Sequence, residues 1–384
     1  MNGDQHQAPI EPGALPGELP PEVPPLPDAG SLKACAATDP ARLYELAVAH
    51  LRRPGPESAR AISWIAEPLC TEDSYQAAEW AARLADTLLT LTGPDDHRML
   101  VRRMARQLVQ RAGWVTLKPL FEQLPEHLDG PAEFRACLLQ EIALRWGVDA
   151  EPYLEYARRL QELRHPLAWL PLASLRFEHE LCRTTEGSMP GSMSPATLRA
   201  AYPEIPPTEA GTAAGGRARE VPDTGRAEAA GAPLAQLGRW EAKFYVLAQP
   251  LDPDDWNAAF LAELPAQCLA GTTTDTIVAV HTTADDLAGD LFVSAYSGGL
   301  WGESRQGAYS RLLTWHSLYA LLDLDLTVSP YDAVRLAARH HWLRFAVDEH
   351  SDNQWFHREV TDLGFAVLDP GRTRIALLAA TDTD

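Results

Sequence analysis

The chain has 384 residues, 46% of them hydrophobic and 11 of them tryptophan, enough for two or three sizeable cores. Its formal net charge is −20, which opposes binding to nucleic acid or to an anionic membrane, since both need a basic face. The five cysteines are scattered, with no C-x-x-C, which argues against a disulfide framework and fits a reducing compartment.

Residues 1–30 are rich in proline, with Pro20-Pro21 and Pro24-Pro25, and almost devoid of aromatics. Such a segment buries too little apolar surface to offset its ordering entropy and is expected to be a disordered tail. No charged-then-apolar signal segment is visible, and no apolar run nears the ~18 residues of a membrane span. A soluble, cytoplasmic protein is the expectation.

From 31 to 183 the apolar residues recur at helical spacing. Thr38-Asp39-Pro40 reads as a cap followed by proline in the first turn of a helix. Further amphipathic helices follow, with Trp80, Leu84 and Leu88 on one face, and Leu100, Met104 and Leu108 on another. A last helix is predicted over Leu167 to Leu181. Gly-Pro and Pro-Gly steps separate the helices, so neighbours must pack antiparallel, as a bundle or a solenoid-like stack. No fixed repeat period is present.

Residues 184–238 are dominated by Gly, Ala, Pro, Ser, Thr and Glu and read as a disordered linker, least structured at Gly211–Gly216 and Ala229–Gly231. Two separately folding parts are the consequence. Beyond it, 239–384 mixes both periods. Trp240 to Gln249 alternates as a strand with one face buried, and Asp252-Pro253 opens a helix through Leu264. Thr276–His281, Leu291–Tyr296, Leu343–Val347, Phe365–Leu368 and Arg374–Ala380 read as strands. Ser329-Pro330 starts a helix through His341, and Trp355 to Leu363 reads as another. The last two strands are joined by Asp369-Pro370-Gly371-Arg372, a turn. The expected architecture is an all-α first half and an α+β second domain, a mixed sheet of about five strands with about four helices.

Within that domain, Ser297 to Leu322 is a glycine-rich loop feeding a helix that is apolar almost all round. Backbone N–H groups at a helix start, flanked by arginine, suit a phosphate or carboxylate. The candidate binding residues are Gly298, Gly299, Gly302, Arg305, Gly307, Tyr309 and Arg311. The Walker and dinucleotide glycine spacings are absent, so no nucleotide cofactor is expected; the competing reading is a tight turn admitting the helix to a core. A polar stripe of Gln306, Ser310, Thr314 and Ser317 runs along the helix.

Other chemistry-bearing residues fall short of a motif. His340, His341, His350 and His357 cluster in sequence beside Asp348, Glu349 and Asp352, but without H-x-x-x-H or HExxH spacing, so no metal is expected. His316 reads as a core histidine, and no G-x-S-x-G elbow accompanies Ser310 or Ser317. Asp323 and Asp325 sit oddly at the negative end of a helix.

The run Gly298-Gly299-Leu300-Trp301-Gly302, with Gly307 to Leu312, Trp315 and Leu318, resembles an uncharacterised actinobacterial family known only as a domain of unknown function. Trp355-Phe356, Asp362-Leu363-Gly364 and Leu377 to Asp384 carry the same resemblance, which is clearest over 240–384. It implies no activity, cofactor or catalytic residue. Charge adds one clue. Residues 31–183 hold 19 basic against 21 acidic side chains, whereas 239–384 hold 10 against 21. The expected function is therefore a non-catalytic, cytoplasmic protein-interaction protein whose acidic C-terminal module binds a protein partner, in the manner of an immunity protein or antitoxin. The alternative is a small-ligand (anion) binding protein or enzyme using the Gly298–Arg311 loop.

Overall fold

The computed structural model describes residues 24–53, 55–91, 97–175, 178, 181, 184, 194–203, 205, 218–298, 304–356 and 361–382. The secondary structure described in the first part is all helical: α1 (Ala29–Thr38), α2 (Pro40–Leu51), α3 (Pro56–Thr71), α4 (Tyr75–Leu91), α5 (Arg98–Arg111), α6 (Trp114–Leu117), α7 (Gly130–Trp146) and α8 (Tyr153–Glu162). Asp39 caps α2, its carboxylate accepting from the Arg42 N–H with Pro40 at the first position. The proline-rich segment ends earlier than expected. Asp28 caps α1, and Leu32 and Ala36 of that helix enter the core.

The last helix expected here does not start at Leu167: the described residues carry a 3-10 turn over Pro166–Trp169 and no α-helix from there to Leu175. The carbonyls of Pro171 and Ala173 are turned toward Arg311, and that of Leu172 accepts from the Val148 N–H at 2.7 Å, so none serves an intrahelical ladder.

The segment expected as a linker carries α9 (Pro195–Ala201), β1 (Ala218–Glu220) and α10 (Thr224–Gly231) among its described residues. Gly211–Gly216 lies outside them. Leu198, Ala230 and Leu234 are buried, so a few apolar residues in a polar stretch suffice to anchor it. Gly231 closes α10 beneath Trp240, where a Cβ would meet the indole at 2.3 Å.

The remaining elements are β2 (Arg239–Leu247), α11 (Ala258–Ala262), β3 (Ile277–Thr282), α12 (Ala284–Ser297), α13 (Gln306–Leu322), α14 (Pro330–Ala337), β4 (His341–Val347), β5 (Thr361–Leu368) and β6 (Arg374–Asp382). The sheet has six strands in the order β1-β2-β6-β5-β4-β3, every pairing antiparallel, instead of five in a mixed sheet. The expected hairpin is β5–β6, with Leu368 opposite Ile375.

Two further assignments change. Leu291–Tyr296 is helical, within α12, because a capping box between Thr283 and Asp286 starts the helix upstream. Its Leu287, Ala288, Leu291 and Ala295 are then buried at helical spacing. The helix expected over Trp355–Leu363 is absent from its described residues, 355–356 and 361–363; 357–360 lie outside them. Asn353 Oδ1 accepts the Trp355 and Phe356 N–H groups, and from Thr361 the chain is a strand, paired with β6 along its length and with β4 from Phe365. The helix predicted from Asp252 shortens to a 3-10 turn followed by α11, capped by Asn257.

The apolar cores are layered on the sheet. One face packs on α11, Trp256 and Phe356. The other belongs to a cluster running without a break from Leu32, Ile65, Leu84 and Phe134 to Leu312, Trp315, Phe365 and Ala380. The two parts expected to fold separately therefore share one core, with α13 between the helical stack and the sheet.

Candidate functional site

Helix α13 has almost no exposed face: Ala308, Ser310, Arg311, Leu312, Thr314, Trp315 and Ser317 to Leu322 are all buried. The loop before it begins at Gly298, which ends α12 in the left-handed region (φ 73°) that glycine adopts without steric cost, its N–H reaching Ser294 O at 2.9 Å. Gly299 and Gly302 lie outside the described residues. Arg305 is exposed, and its N–H donates to Ala295 O at 3.1 Å.

The anion expected at the start of α13 is supplied by the chain itself. Glu141, at the middle of α7, accepts from the Ala308 N–H at 3.0 Å with Oε1 and lies 3.3 Å from Arg106 Nη1 with Oε2. Arg106 also donates to the Thr184 carbonyl and stacks on Tyr296, 4.6 Å from the ring centre. A Cβ on Gly307 would sit 2.1 Å from Glu141 Oε1, so glycine here admits the carboxylate to the helix end. Burial pushes the Glu141 carboxyl up, with Arg106 and the Ala308 N–H working against it.

Arg311, the second candidate cation, is consumed more completely. It is 0% exposed, and all five of its N–H donors are satisfied within the chain. Nε and Nη2 form a bidentate pair with Glu178 at 2.6 and 2.7 Å. Nη1 donates to Gln140 Oε1 at 2.6 Å and Pro171 O at 2.9 Å, and Nη2 also reaches Ala173 O at 3.1 Å. Glu178 in turn accepts from Trp315 Nε1 at 2.9 Å and from the Leu175 N–H at 2.9 Å.

Tyr309 completes the row. Its hydroxyl donates to Glu133 Oε2 at 3.1 Å, and the Arg102 guanidinium lies over its ring at 3.7 Å. The same Glu133 oxygen receives His165 Nε2 at 3.1 Å, while His165 Nδ1 accepts from the Leu167 N–H. The proton of that imidazole therefore sits on Nε2. Burial works to raise the Glu133 carboxyl, but the bond from His165 and the charge of Arg102 hold it below its usual range. Burial and the Glu133 carboxylate push the Tyr309 hydroxyl up.

Three carboxylates of the helical part thus meet successive positions of α13: Glu141 at Ala308, Glu133 at Tyr309, and Glu178 at Arg311 and Trp315. Chemically this arrangement is a polar seam that orients two packed layers. Its groups hold each other, and Arg305 is the described candidate side chain left facing solvent. Of the polar stripe, Ser317 Oγ donates to Ala230 O at 2.6 Å and Thr314 Oγ1 to Ser310 O at 2.8 Å, both within the core.

None of the helical-side partners was singled out in the sequence. Gln140-Glu141, a polar pair in the midst of the apolar run Cys137 to Leu144, is the one visible signal. Arg102 and Arg106 read as an ordinary polar face at (i, i+4) spacing.

The histidines do not converge. His340 Nδ1 bonds Leu336 O at 2.8 Å, His341 is exposed at the start of β4, and His350 pairs with Asp348 at 2.7 Å. His357 lies outside the described residues. No group of His, Cys, Asp and Glu able to hold a metal occurs among the described residues. His316 stands 5.3 Å from Trp169, where burial lowers its pKa. Asp323 ends α13 in the left-handed region (φ 58°), where it gathers Arg226 at 3.1 Å and Arg374 at 2.6 Å. Arg226 Nε then caps the Ala320 carbonyl at 2.6 Å, so the acid recruits a cation to the negative end of the helix. No described helix is long and apolar enough to cross a membrane.

A family of unknown function (DUF6183) matches the chain over residues 32–384, and the chain belongs to it. No curated protein and no solved structure matches.

Proposed function

Taking membership of this family of unknown function as the premise, we propose that the chain is a non-catalytic, cytoplasmic protein-interaction protein whose acidic C-terminal part binds a basic protein partner, as an immunity protein or antitoxin does. An alanine-, arginine- and proline-rich composition with few lysines supports an actinobacterial setting. The observation that carries the reading is where the acids of the sheet lie. Ile277 pairs with Val347, so the residues before β3 and after β4 share one end of the sheet. Asp275, Asp348, Glu349 and Asp352 gather there, and Asp275, Glu349 and Asp352 are exposed. Arg199 stands in the same crevice as Asp348 and Glu349 and offsets part of that charge, while Arg311 is held by Glu178, Arg344 by Asp290 at 2.8 Å, and Arg226 by Asp323.

An acidic surface of this kind steers a basic partner through long-range attraction that salt screens. The test is capture by the full-length chain from native lysate at low salt, beside a variant carrying Asp275→Lys, Glu349→Lys and Asp352→Lys. The expected result is a basic protein that is retained at low salt, released at high salt and lost by the variant. Recovery of no basic protein, or equal recovery by the variant, would sink the reading.

A further inference from the structure

At the opposite end of β3 and β4, where Thr282 pairs with Trp342, a crevice of about 360 Å³ opens between α12 and α14. Its size falls within the range of small-ligand sites. The floor is apolar: Leu318, Ala337 and Trp342 are almost wholly buried, and Val334 lines the wall.

The polar groups at its mouth share one character, since each presents an acceptor. Thr282 Oγ1 donates its proton to Asp286 Oδ2 at 2.8 Å, and Thr283 Oγ1 does the same at 2.8 Å. Thr283 Oγ1 also accepts the Asp286 N–H at 3.2 Å, which leaves it one lone pair, and Thr282 Oγ1 keeps acceptor capacity as well. Asp285 adds an exposed carboxylate. His340 bonds the Leu336 carbonyl through Nδ1, which must therefore carry the proton, and burial keeps the ring neutral. Nε2 is left as an acceptor. Trp342 Nε1, the one indole donor at the crevice, is spent on Ala337 O at 2.9 Å. Among the described residues no lysine or arginine lines the space. The positive end of α12 faces it, but Asp285 and Asp286 stand in that first turn and answer it. On the far side of His340 a smaller crevice of about 220 Å³ is lined by both signs of charge, Arg226 and Arg374 with Asp323 and Asp369.

The geometry points to the crevice over Trp342 as a binding site for a small amine carried on an apolar body. The ammonium would lie among Asp285, the threonine oxygens and His340 Nε2, and the body would pack on Leu318 and the Trp342 face, where an aromatic ring also attracts a cation. This site is separate from the acidic end of the sheet and does not depend on a protein partner.

Saturation-transfer NMR with the full-length chain and phenethylamine tests it. Transfer to the ring protons is expected, with phenylacetate giving none and phenethyl alcohol binding about tenfold more weakly. Ala338→Phe, an exposed position at the crevice wall, should abolish the transfer, and Asp285→Asn should weaken binding several-fold with the circular dichroism spectrum unchanged. Should Ala338→Phe fail to fold, Asp285→Asn carries the test alone. The site is overturned by absence of transfer from phenethylamine, by equal binding of phenylacetate, or by a response unchanged in both variants. Binding of N-acetyl-lysine amide without phenethylamine would also overturn it, in favour of a lysine side chain on a protein partner.

Discussion

Arg311 and Glu178 lie 133 residues apart and face each other as a bidentate pair at 2.6 and 2.7 Å, both wholly excluded from solvent. A buried charge is tolerated only when paired and fully hydrogen-bonded, and here every donor of the guanidinium is engaged. The pair joins the helical part to the central helix of the other part. Removing one member strands the other. Glu178→Gln or Arg311→Met is expected to lower stability by about 3–5 kcal/mol, read from urea unfolding. A loss below about 1 kcal/mol would show that the seam contributes nothing.

Gly307 makes a narrower prediction. Alanine there would place its Cβ 2.1 Å from a Glu141 oxygen and must push the carboxylate off the helix end. Gly307→Ala is expected to cost about 1–3 kcal/mol. In a Glu141→Ala background the clash is gone, so the two changes should be strongly non-additive in a double-mutant cycle. Simple additivity would contradict the contact.

The shared core predicts a failure of dissection. Expressed alone, residues 239–384 would expose Trp315, Leu312 and Leu318, which belong to a core continuous with Phe134 and Leu84. Such a fragment is expected to aggregate or to bind a hydrophobic dye, whereas the full chain unfolds in one transition. A soluble, cooperatively folding fragment would overturn this.

Asp290 governs an unusual pH response. Burial pushes its carboxyl up to about 6, against the attraction of Arg344. Between 3.8 and 6 the folded chain holds a proton that the unfolded chain has released. The contribution of this group to stability is therefore fully present below 3.8, falls as pH rises toward 6, and is flat above. The span is on the order of 3 kcal/mol. Asp290→Asn should flatten that part of the stability profile. A carboxyl carbon titrating near 4 in an NMR experiment would refute the shift.

The thiols are ranked by burial. Cys70, Cys137 and Cys268 are buried, and burial pushes each thiol up, away from the reactive thiolate. Cys35 is half-buried. Among these four, iodoacetamide is expected to label Cys35 first in the native chain, by mass spectrometry, and the other three only after unfolding. Early labelling of Cys137 would mean that the α7–α13 seam opens.

Local signals were strong enough to determine much of this protein from its sequence alone. The Asp39-Pro40 cap, the amphipathic repeats around Leu84 and Met104, and the Asp369–Arg372 hairpin depend on neighbours a few residues away, and each is where the pattern put it. The apolar girth of α13 likewise marked it as the middle of a core. What only the tertiary structure decided involves partners distant in the chain. Arg311 between Gly307 and Trp315 reads equally as a ligand clamp or a packing residue until Glu178 and Gln140 are brought to it. The carbonyls of Pro171 and Ala173 leave helical geometry for the same guanidinium, and Leu198 and Ala230 order a stretch whose composition is that of a linker. The loop from Gly298 to Arg311 invited an anion, and three carboxylates from the helical part, Glu133, Glu141 and Glu178, meet the helix that follows it. Periodicity records which face of a helix is apolar; it holds no record of which distant charge will meet the few polar positions on that face.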